Sequence, residues 1–260
     1  LDPPPPEVLY RNGFHDRRAM EATSAQIGRF LAGKDFSSSD EINEAVQAEF
    51  TGLPSERRKY PPRTPLEEAQ DLCYEAFDSI GYRRIALARR AIERSGGDCA
   101  DAYVLLAEAA ASPQEQADLY AEGVEAGKRA LGDRFFQEET EHAWGHLAAR
   151  PFMRALRGLA SSNTQLGRTG EAIAQYQELL RLNPNDNQAN RYDLLALLIV
   201  AGQDDDAEAL LAEYAEPDAV WLYGRGLLAF RREGDGVVSQ RALRKAIKAN
   251  PLVPGLLLGD

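Results

Sequence analysis

Apolar positions along the chain recur three to four residues apart, and short Gly or Pro segments interrupt them. This pattern predicts a helix over 16–32 and a second helix over about 40–50, with Ser39 as its N-cap. From residue 65 onward it predicts a succession of helix pairs. The segment 53–65 holds four prolines, which exclude regular secondary structure there.

These elements divide the chain into three predicted parts. Residues 1–52 form an arm that begins with four consecutive prolines and continues into two helices. Residues 53–65 form a proline-rich linker, and residues 66–260 carry the helix pairs, with an insertion at about 132–150 that interrupts their rhythm. The composition agrees with an all-α fold: Ala and Leu number 40 and 32, whereas Val, Ile and Thr together number 23, too few for a large sheet.

A repeat is visible in the second half of the chain. Gly167 and Gly202 are 35 residues apart, and so are Ala172 and Ala207. The two Asn-Pro pairs that begin at residues 183 and 250 are 67 residues apart, which is two units of about 34 residues. A two-helix unit of this length buries its apolar faces only against its neighbours, so such units occur in runs.

These residues resemble the tetratricopeptide repeat. The best unit matches through Leu156, Leu159, Ala160, Gly167, Ala172, Tyr176, Leu179, Leu180 and Pro184. The resemblance implies a right-handed α-solenoid of about five helical hairpins, preceded by the short helical N-terminal element, in which the first helix of each pair lines a concave groove. It also implies protein or peptide binding rather than catalysis.

A second resemblance covers residues 98–260, which look like the repeat region of the suppression-of-tumorigenicity-seven family. It rests on phrases such as Ala102–Glu108 and Leu166–Ala172. This resemblance implies a related helical repeat and no particular activity. Members of that family also have membrane spans, whereas no stretch here approaches the ~20 apolar residues that a span requires.

Charge and cysteine content narrow the classes of partner. The net charge of −11 argues against nucleic acid or an anionic membrane as the main partner, since both require a basic surface. Two cysteines, Cys73 and Cys99, are too few for a disulfide framework and indicate reduced thiols in a cytoplasmic protein.

The first helices of the last three pairs carry arginines, although the chain as a whole is acidic. Together with tyrosine and amide side chains they form the predicted peptide-binding set: Arg154, Arg157, Gln165, Arg191, Tyr192, Tyr223 and Arg225. Guanidinium groups bind carboxylates in a bidentate manner, and tyrosines add rigid contact area. The alternative is that the arginines pair with acids on adjacent hairpins. A large aromatic such as Trp221 belongs more naturally to the interhelix core than to the groove.

Other candidate chemistry is sparse. His142 and His146 would share a helix face and could hold zinc, but they also fit two half-buried histidines beside Trp144. The basic residues of the last long helix, Arg241, Arg244, Lys245 and Lys248, fit either a solvated capping face or a docking patch. No phosphate-binding loop or nucleophile motif occurs, so neither a catalytic residue nor a cofactor is predicted.

The sequence therefore predicts a non-enzymatic adaptor or scaffold that binds an acidic or carboxylate-terminated peptide in its concave groove. One alternative is the regulatory or partner-recognition portion of a larger enzyme or transport assembly. A minor alternative is a metal-dependent site at His142 and His146. The partner, the pathway and the oligomeric state do not follow from the residues.

Overall fold

The computed structural model describes residues 17–51, 60–138 and 141–259, and every regular element in those ranges is helical. We number the α-helices α1 to α14 in chain order: Glu21–Leu31, Ser39–Phe50, Pro65–Phe77, Gly81–Ser95, Ala100–Ala107, Pro113–Leu131, Asp133–Glu138, Arg150–Gln165, Thr169–Leu182, Asn190–Ala201, Asp204–Glu213, Ala219–Glu233, Val237–Ala249 and Val253–Leu258. The helices pack in consecutive pairs, which confirms the predicted all-α helical-repeat class. The predicted proline-rich arm up to residue 16 and most of the linker lie outside the described residues.

The chain separates into two compact units, residues 1–162 (unit 1) and residues 163–260 (unit 2). Only the last turn of α8, Asn163 to Gln165, belongs to unit 2. The three-part division expected from the proline-rich segment stays a prediction. Within the described residues, no helix is both long and apolar enough to cross a lipid bilayer.

Each of the two N-terminal helices begins at a different residue from the one predicted. α1 begins at Glu21, after a 3-10 turn over Arg17–Met20, whereas the predicted helix began at residue 16, which lies outside the described residues. Ser38, one residue before the predicted cap, is the N-cap of α2, and its side chain accepts the backbone N–H of Glu41. A capping side chain must lie outside the helix to reach the free N–H groups of the first turn, and Ser38 has the extended backbone that allows this.

The end of the proline-rich segment packs onto these two helices. The Tyr60 ring lies against Phe30 and Phe50, with ring centroids 5.3 and 6.0 Å away, and its backbone N–H donates to Gln26 at 2.8 Å. The chain then enters α3, where Thr64 is the N-cap. Residues 60–64 therefore belong to the packed structure of unit 1.

The core of unit 1 is built from small residues on α3 to α5. It contains Ala69, Cys73, Tyr74, Ala76, Phe77, Leu87, Ala88, Ala91, Cys99, Ala102 and Leu105. Alanine faces let helix axes approach closely, so a few large side chains suffice to fill the remaining space. The predicted insertion contains α7 and two 3-10 turns, Ala143–Gly145 and Leu147–Ala149.

Unit 2 repeats one local design. Gly167 and Gly202 have φ of 72° and 71°, a left-handed conformation that suits glycine, and each ends the first helix of a pair. Ala172 and Ala207, five residues later, are fully buried where the second helix meets its neighbours. The 35-residue spacing seen in the sequence therefore corresponds to equivalent turns and contacts.

Asp186 shapes the start of α10, which begins at Asn190. Its backbone is left-handed, with φ of 47°, and its carboxylate accepts the backbone N–H groups of Asn190 and Arg191 at 2.7 and 3.0 Å. The carboxylate thus satisfies two donors that the first turn of α10 leaves without an intrahelical partner.

Candidate functional site

The seven predicted peptide-binding residues divide between the two units. Arg154 and Arg157 belong to unit 1, and Gln165, Arg191, Tyr192, Tyr223 and Arg225 belong to unit 2. Gln165, Arg157 and Arg225 are exposed. The contacts of the others show which charges and hydroxyls are already engaged within the chain.

Arg154 is the centre of a buried ion cluster in unit 1. Its Nη2 lies 2.6 Å from Oδ2 of Asp101, which is fully buried, and its Nη1 lies 3.0 Å from Oε1 of Glu21. Burial alone would lower the pKa of Arg154, but the charges and hydrogen bonds of Asp101 and Glu21 raise it well above its ordinary value. Two carboxylates therefore already balance this guanidinium, as the alternative interpretation of the arginines expected. Binding of a peptide by Arg154 stays a prediction.

Arg191 and Tyr192 are also engaged within unit 2. Arg191 pairs with Asp186 and Glu216, both at 2.9 Å. Burial would lower the pKa of Arg191, yet the hydrogen bond and charge of Asp186 raise it. The Tyr192 hydroxyl donates to Asp218 at 2.6 Å, and this hydrogen bond raises the pKa of Tyr192.

Tyr223 and Arg225 lie two positions apart on α12 and so point in nearly opposite directions. The Tyr223 hydroxyl donates to the backbone carbonyl of Asn250 at 2.9 Å, and Arg225 donates to the carbonyl of Leu211 at 2.6 Å. The ring of Trp221 is fully buried and contacts Tyr192 edge to face, so Trp221 is a core residue and Tyr223 is the aromatic that faces outward. These contacts do not join the five predicted residues of unit 2 into one cationic wall.

The prominent open feature of unit 2 is an apolar groove, which we call the C-terminal groove. It has a volume of about 640 Å³ and is lined by Leu195, Ala196, Ile199, Val220, Tyr223, Gly224, Gly226, Leu227, Phe230, Asp235, Ser239, Gln240, Leu243, Ile247, Pro254, Leu257 and Leu258. Phe230 is 55% exposed and Leu258 is 79% exposed, so large apolar side chains meet water here. α10, α12, α13 and α14 all contribute to its wall.

Four basic residues of α13 lie beside this groove. Arg244 donates to Gln240, a groove residue, and so stands at the rim, and Lys248 follows one turn later on the same face. With Arg241 and Lys245 they form what we call the basic edge, a helix surface that contains no acidic residue. In the part of the chain that the structure describes, none of these four side chains has an ion pair, in contrast to Arg154 and Arg191.

The C-terminal groove was not predicted from the sequence, although the apolar residues that line it recur at helical spacing. Leu243 and Ile247 recur at i and i+4 on α13, and Leu227 and Phe230 recur at i and i+3 on α12, as apolar faces do. Apolar periodicity does not distinguish a face that packs against a neighbour from a face that stays open.

The histidine pair does not form a helical metal site. His142 and His146 bracket the 3-10 turn Ala143–Gly145, so the i and i+4 geometry of an α-helix face does not apply to them. His146 lies edge to face against Phe135 with 5.5 Å between ring centroids. Among the described residues, no group of three or more His, Cys, Asp or Glu side chains is arranged to hold a metal ion.

The two cysteines lie together in the core of unit 1. Their Sγ atoms are 3.5 Å apart, and both side chains are buried. Burial raises the pKa of the Cys73 thiol, as does its contact with Cys99. A protonated, inaccessible thiol is a poor nucleophile, so Cys73 acts as a packing residue.

Comparison with known protein families gives one finding. Residues 164–229, which run from the end of α8 into α12, match the tetratricopeptide repeat. Tetratricopeptide repeats generally mediate protein–protein interaction and are generally not catalytic. The resemblance of residues 98–260 to the suppression-of-tumorigenicity-seven family stays a prediction.

Proposed function

We propose that this chain, a repeat protein of the tetratricopeptide type, is a non-enzymatic adaptor or scaffold that binds an acidic, amphipathic helical segment of a partner protein in the C-terminal groove. The observation that carries the proposal is the apolar groove beside the unpaired basic edge. The occupant we propose is a partner helix with apolar side chains on one face and carboxylates along its flank.

The apolar half of the proposal rests on the exposure of Phe230, Leu243 and Leu257. All three side chains are in contact with water. Covering them with a partner would contribute about 25 cal/mol of binding free energy for every Å² of apolar surface removed from water. A helix with apolar residues at i, i+3, i+4 and i+7 would cover these side chains together, as in other helix-in-groove complexes. A neighbouring groove on the other side of α12 contains Arg225, Glu208 and Glu233 and is more polar.

The charged half rests on the contrast between two sets of cations. Arg154 and Arg191 would have to give up internal carboxylates before they could bind a peptide. Arg244 and Lys248 have no ion pair with any residue that the structure describes, so an acidic partner gains attraction at the rim without breaking such a pair. The acidic specificity expected from the sequence is therefore retained, but we assign it mainly to α13.

The first test is binding of synthetic helical peptides that share one apolar face. One peptide carries glutamates along its flank and the other carries lysines, and each is made with a free and an amidated C-terminus. We expect the glutamate peptide to bind at least tenfold more tightly, with an affinity that falls as salt is raised, since rim charges are screened by ions. Fluorescence polarisation measures the affinity of each peptide. Comparison of the free with the amidated C-terminus tests the predicted recognition of a terminal carboxylate.

The matched variants reverse two charges in each unit. Arg244→Glu with Lys248→Glu is expected to weaken binding of the glutamate peptide about tenfold. The variant loses two exposed ion pairs with the peptide, each worth up to about 1 kcal/mol. Arg89→Glu with Arg90→Glu changes two exposed arginines of α4 and should leave binding unchanged. Equal binding of the glutamate and lysine peptides, or no effect of the α13 reversals, would reject the proposal. Concentration-dependent self-association lost in the α13 variant would identify a second copy of the chain as the occupant.

The alternative of a partner-recognition portion within a larger enzyme or transport assembly uses the same groove. It would differ in the source of the helix, which would come from a stably associated subunit. Co-purification of a stoichiometric partner that is lost on Leu243→Glu, with circular dichroism unchanged, would favour this alternative.

A further inference from the structure

A separate, partly open cavity lies in unit 1 and shares no residue with the features that define the proposed function. It has a volume of about 360 Å³, within the range typical of small-molecule sites. Its walls come from α1, α3, the start of α5, the end of α6 and the segment 147–151: Ser24, Ala25, Gly28, Arg29, Ala32, Arg63, Leu66, Glu67, Gln70, Tyr74, Asp98, Cys99, Ala100, Gly127, Ala130, Leu147, Ala148 and Pro151. Alanine and glycine are prominent in this wall, and they leave space that larger side chains would have filled.

Tyr74 supplies a hydrogen-bond donor in this wall. Tyr74 is only 6% exposed, and its hydroxyl makes no hydrogen bond with the residues that the structure describes. The hydroxyl oxygen is not among the fully enclosed atoms without a partner, and Tyr74 lines the cavity, so a ligand or water in the cavity can accept the hydroxyl proton. Burial, followed by the negative charges of Asp101 and Glu21, raises the pKa of Tyr74, so the hydroxyl keeps its proton.

The charged side chains around the cavity already have hydrogen-bond or ion-pair partners within unit 1. Arg29 binds Asp71 through two contacts of 2.8 Å and also pairs with Glu67 at 3.4 Å. Asp98 pairs with Arg129 at 2.8 Å. Arg63 donates to the backbone carbonyls of Arg29 and Ala32. An ionic ligand would thus find these charges already engaged, while a neutral ligand would require none of them.

We infer that this cavity binds a small, neutral, mainly apolar molecule with one oxygen that accepts a hydrogen bond from the Tyr74 hydroxyl. The alanine and glycine walls contact the apolar body, and Tyr74 fixes the polar end. The inference does not depend on the proposed function, because it concerns a different unit and a different class of ligand.

The test uses 1-octanol as the probe and alanine-methyl-labelled protein. We expect saturable NMR shifts of the methyls of Ala25, Ala100, Ala130 and Ala148, with the methyls of Ala172 and Ala207 in unit 2 unmoved. Octanoate, which has the same chain length but is charged, should bind at least tenfold more weakly, because Arg29 and Arg63 would have to give up their present acceptors to offset its desolvation.

Two variants and one control make the outcome decisive. Gly28 lies at the cavity wall within α1, and a Cβ built there meets nothing within 4 Å. Gly28→Leu should fill the cavity and weaken the binding of 1-octanol at least tenfold. Tyr74→Phe should weaken this binding about fivefold, because one hydrogen bond is lost. Gly170→Leu places the same side chain in open space on α9 and should change nothing.

The inference is overturned if 1-octanol causes no saturable shift, if its shifts are equal in both units, if Gly28→Leu binds like the unmodified protein, or if octanoate binds more tightly than 1-octanol. Localised shifts that Gly28→Leu abolishes and Tyr74→Phe weakens support it. Because Gly28→Leu sits in unobstructed space and Tyr74→Phe keeps the ring, at least one of the two variants should fold normally.

Discussion

Replacement of Arg154 by methionine is expected to lower the free energy of unfolding by about 3–5 kcal/mol, the usual effect of removing one partner from a buried ion pair. The variant leaves the carboxylate of Asp101, with no exposed side-chain surface, without its cation. A hydrogen bond from Gln70 at 2.7 Å remains, but a neutral amide cannot balance a buried charge. The same variant removes the guanidinium that Glu21 contacts, so α1 also loses an attachment.

Urea denaturation followed by circular dichroism measures this loss. Arg134→Met is the control, because Arg134 is 85% exposed and makes an i,i+4 pair with Glu138, for which a change of about 0.3–0.5 kcal/mol is expected. The double variant Arg154→Met with Asp101→Asn should be more stable than Arg154→Met alone, since it has no unbalanced carboxylate at position 101. A loss below about 1 kcal/mol for Arg154→Met would show that water or local rearrangement compensates Asp101.

Replacement of Gly158 by alanine is expected to destabilise the protein by about 1–3 kcal/mol, although alanine is the better helix former. Gly158 lies within α8, and a Cβ there would overlap the ring of Tyr120 on α6. The ring of Tyr120 is partly buried against α8, so moving it aside would give up that packing. The clash should outweigh the gain of about 0.5–1 kcal/mol that alanine brings to a helix interior.

Gly28→Ala is the matched control and is expected to stabilise the protein, not to destabilise it. Gly28 is also inside a helix of unit 1, its Cβ position is empty, and about 0.5–1 kcal/mol of stabilisation is expected. In a Tyr120→Ala background, Gly158→Ala should no longer destabilise, because the overlapping ring is absent. If Gly158→Ala still costs stability there, the close approach to Tyr120 is not the cause.

Local features of the repeat were predictable from the sequence because their physics is local. The turn glycines Gly167 and Gly202 and the buried alanines Ala172 and Ala207 depend on residues within one hairpin and recur with it. The start of α2 differs by one residue from its prediction, because Ser38 and not Ser39 lies outside the helix and caps its first turn.

Long-range partners were not predictable from one sequence. Arg154 meets Glu21 across 133 residues, and nothing in the spacing of either residue indicates this pair. The arginine-rich first helices therefore suggested a cationic groove, whereas the contacts of Arg154 and Arg191 assign them internal partners. The basic residues of α13 were noticed but were weighed against a solvated capping face, since the sequence does not reveal that Leu243 and Ile247 stay open beside them.

The basic edge also has a kinetic consequence. The chain carries a net charge of −11, so an acidic protein that approaches it meets repulsion over most directions. The four cations of α13 provide a local region of opposite potential, and collisions that begin there survive longer than collisions elsewhere. An acidic helix would thus be oriented before its apolar residues touch, and the rate of productive encounters would depend on ionic strength more steeply than the rate of dissociation.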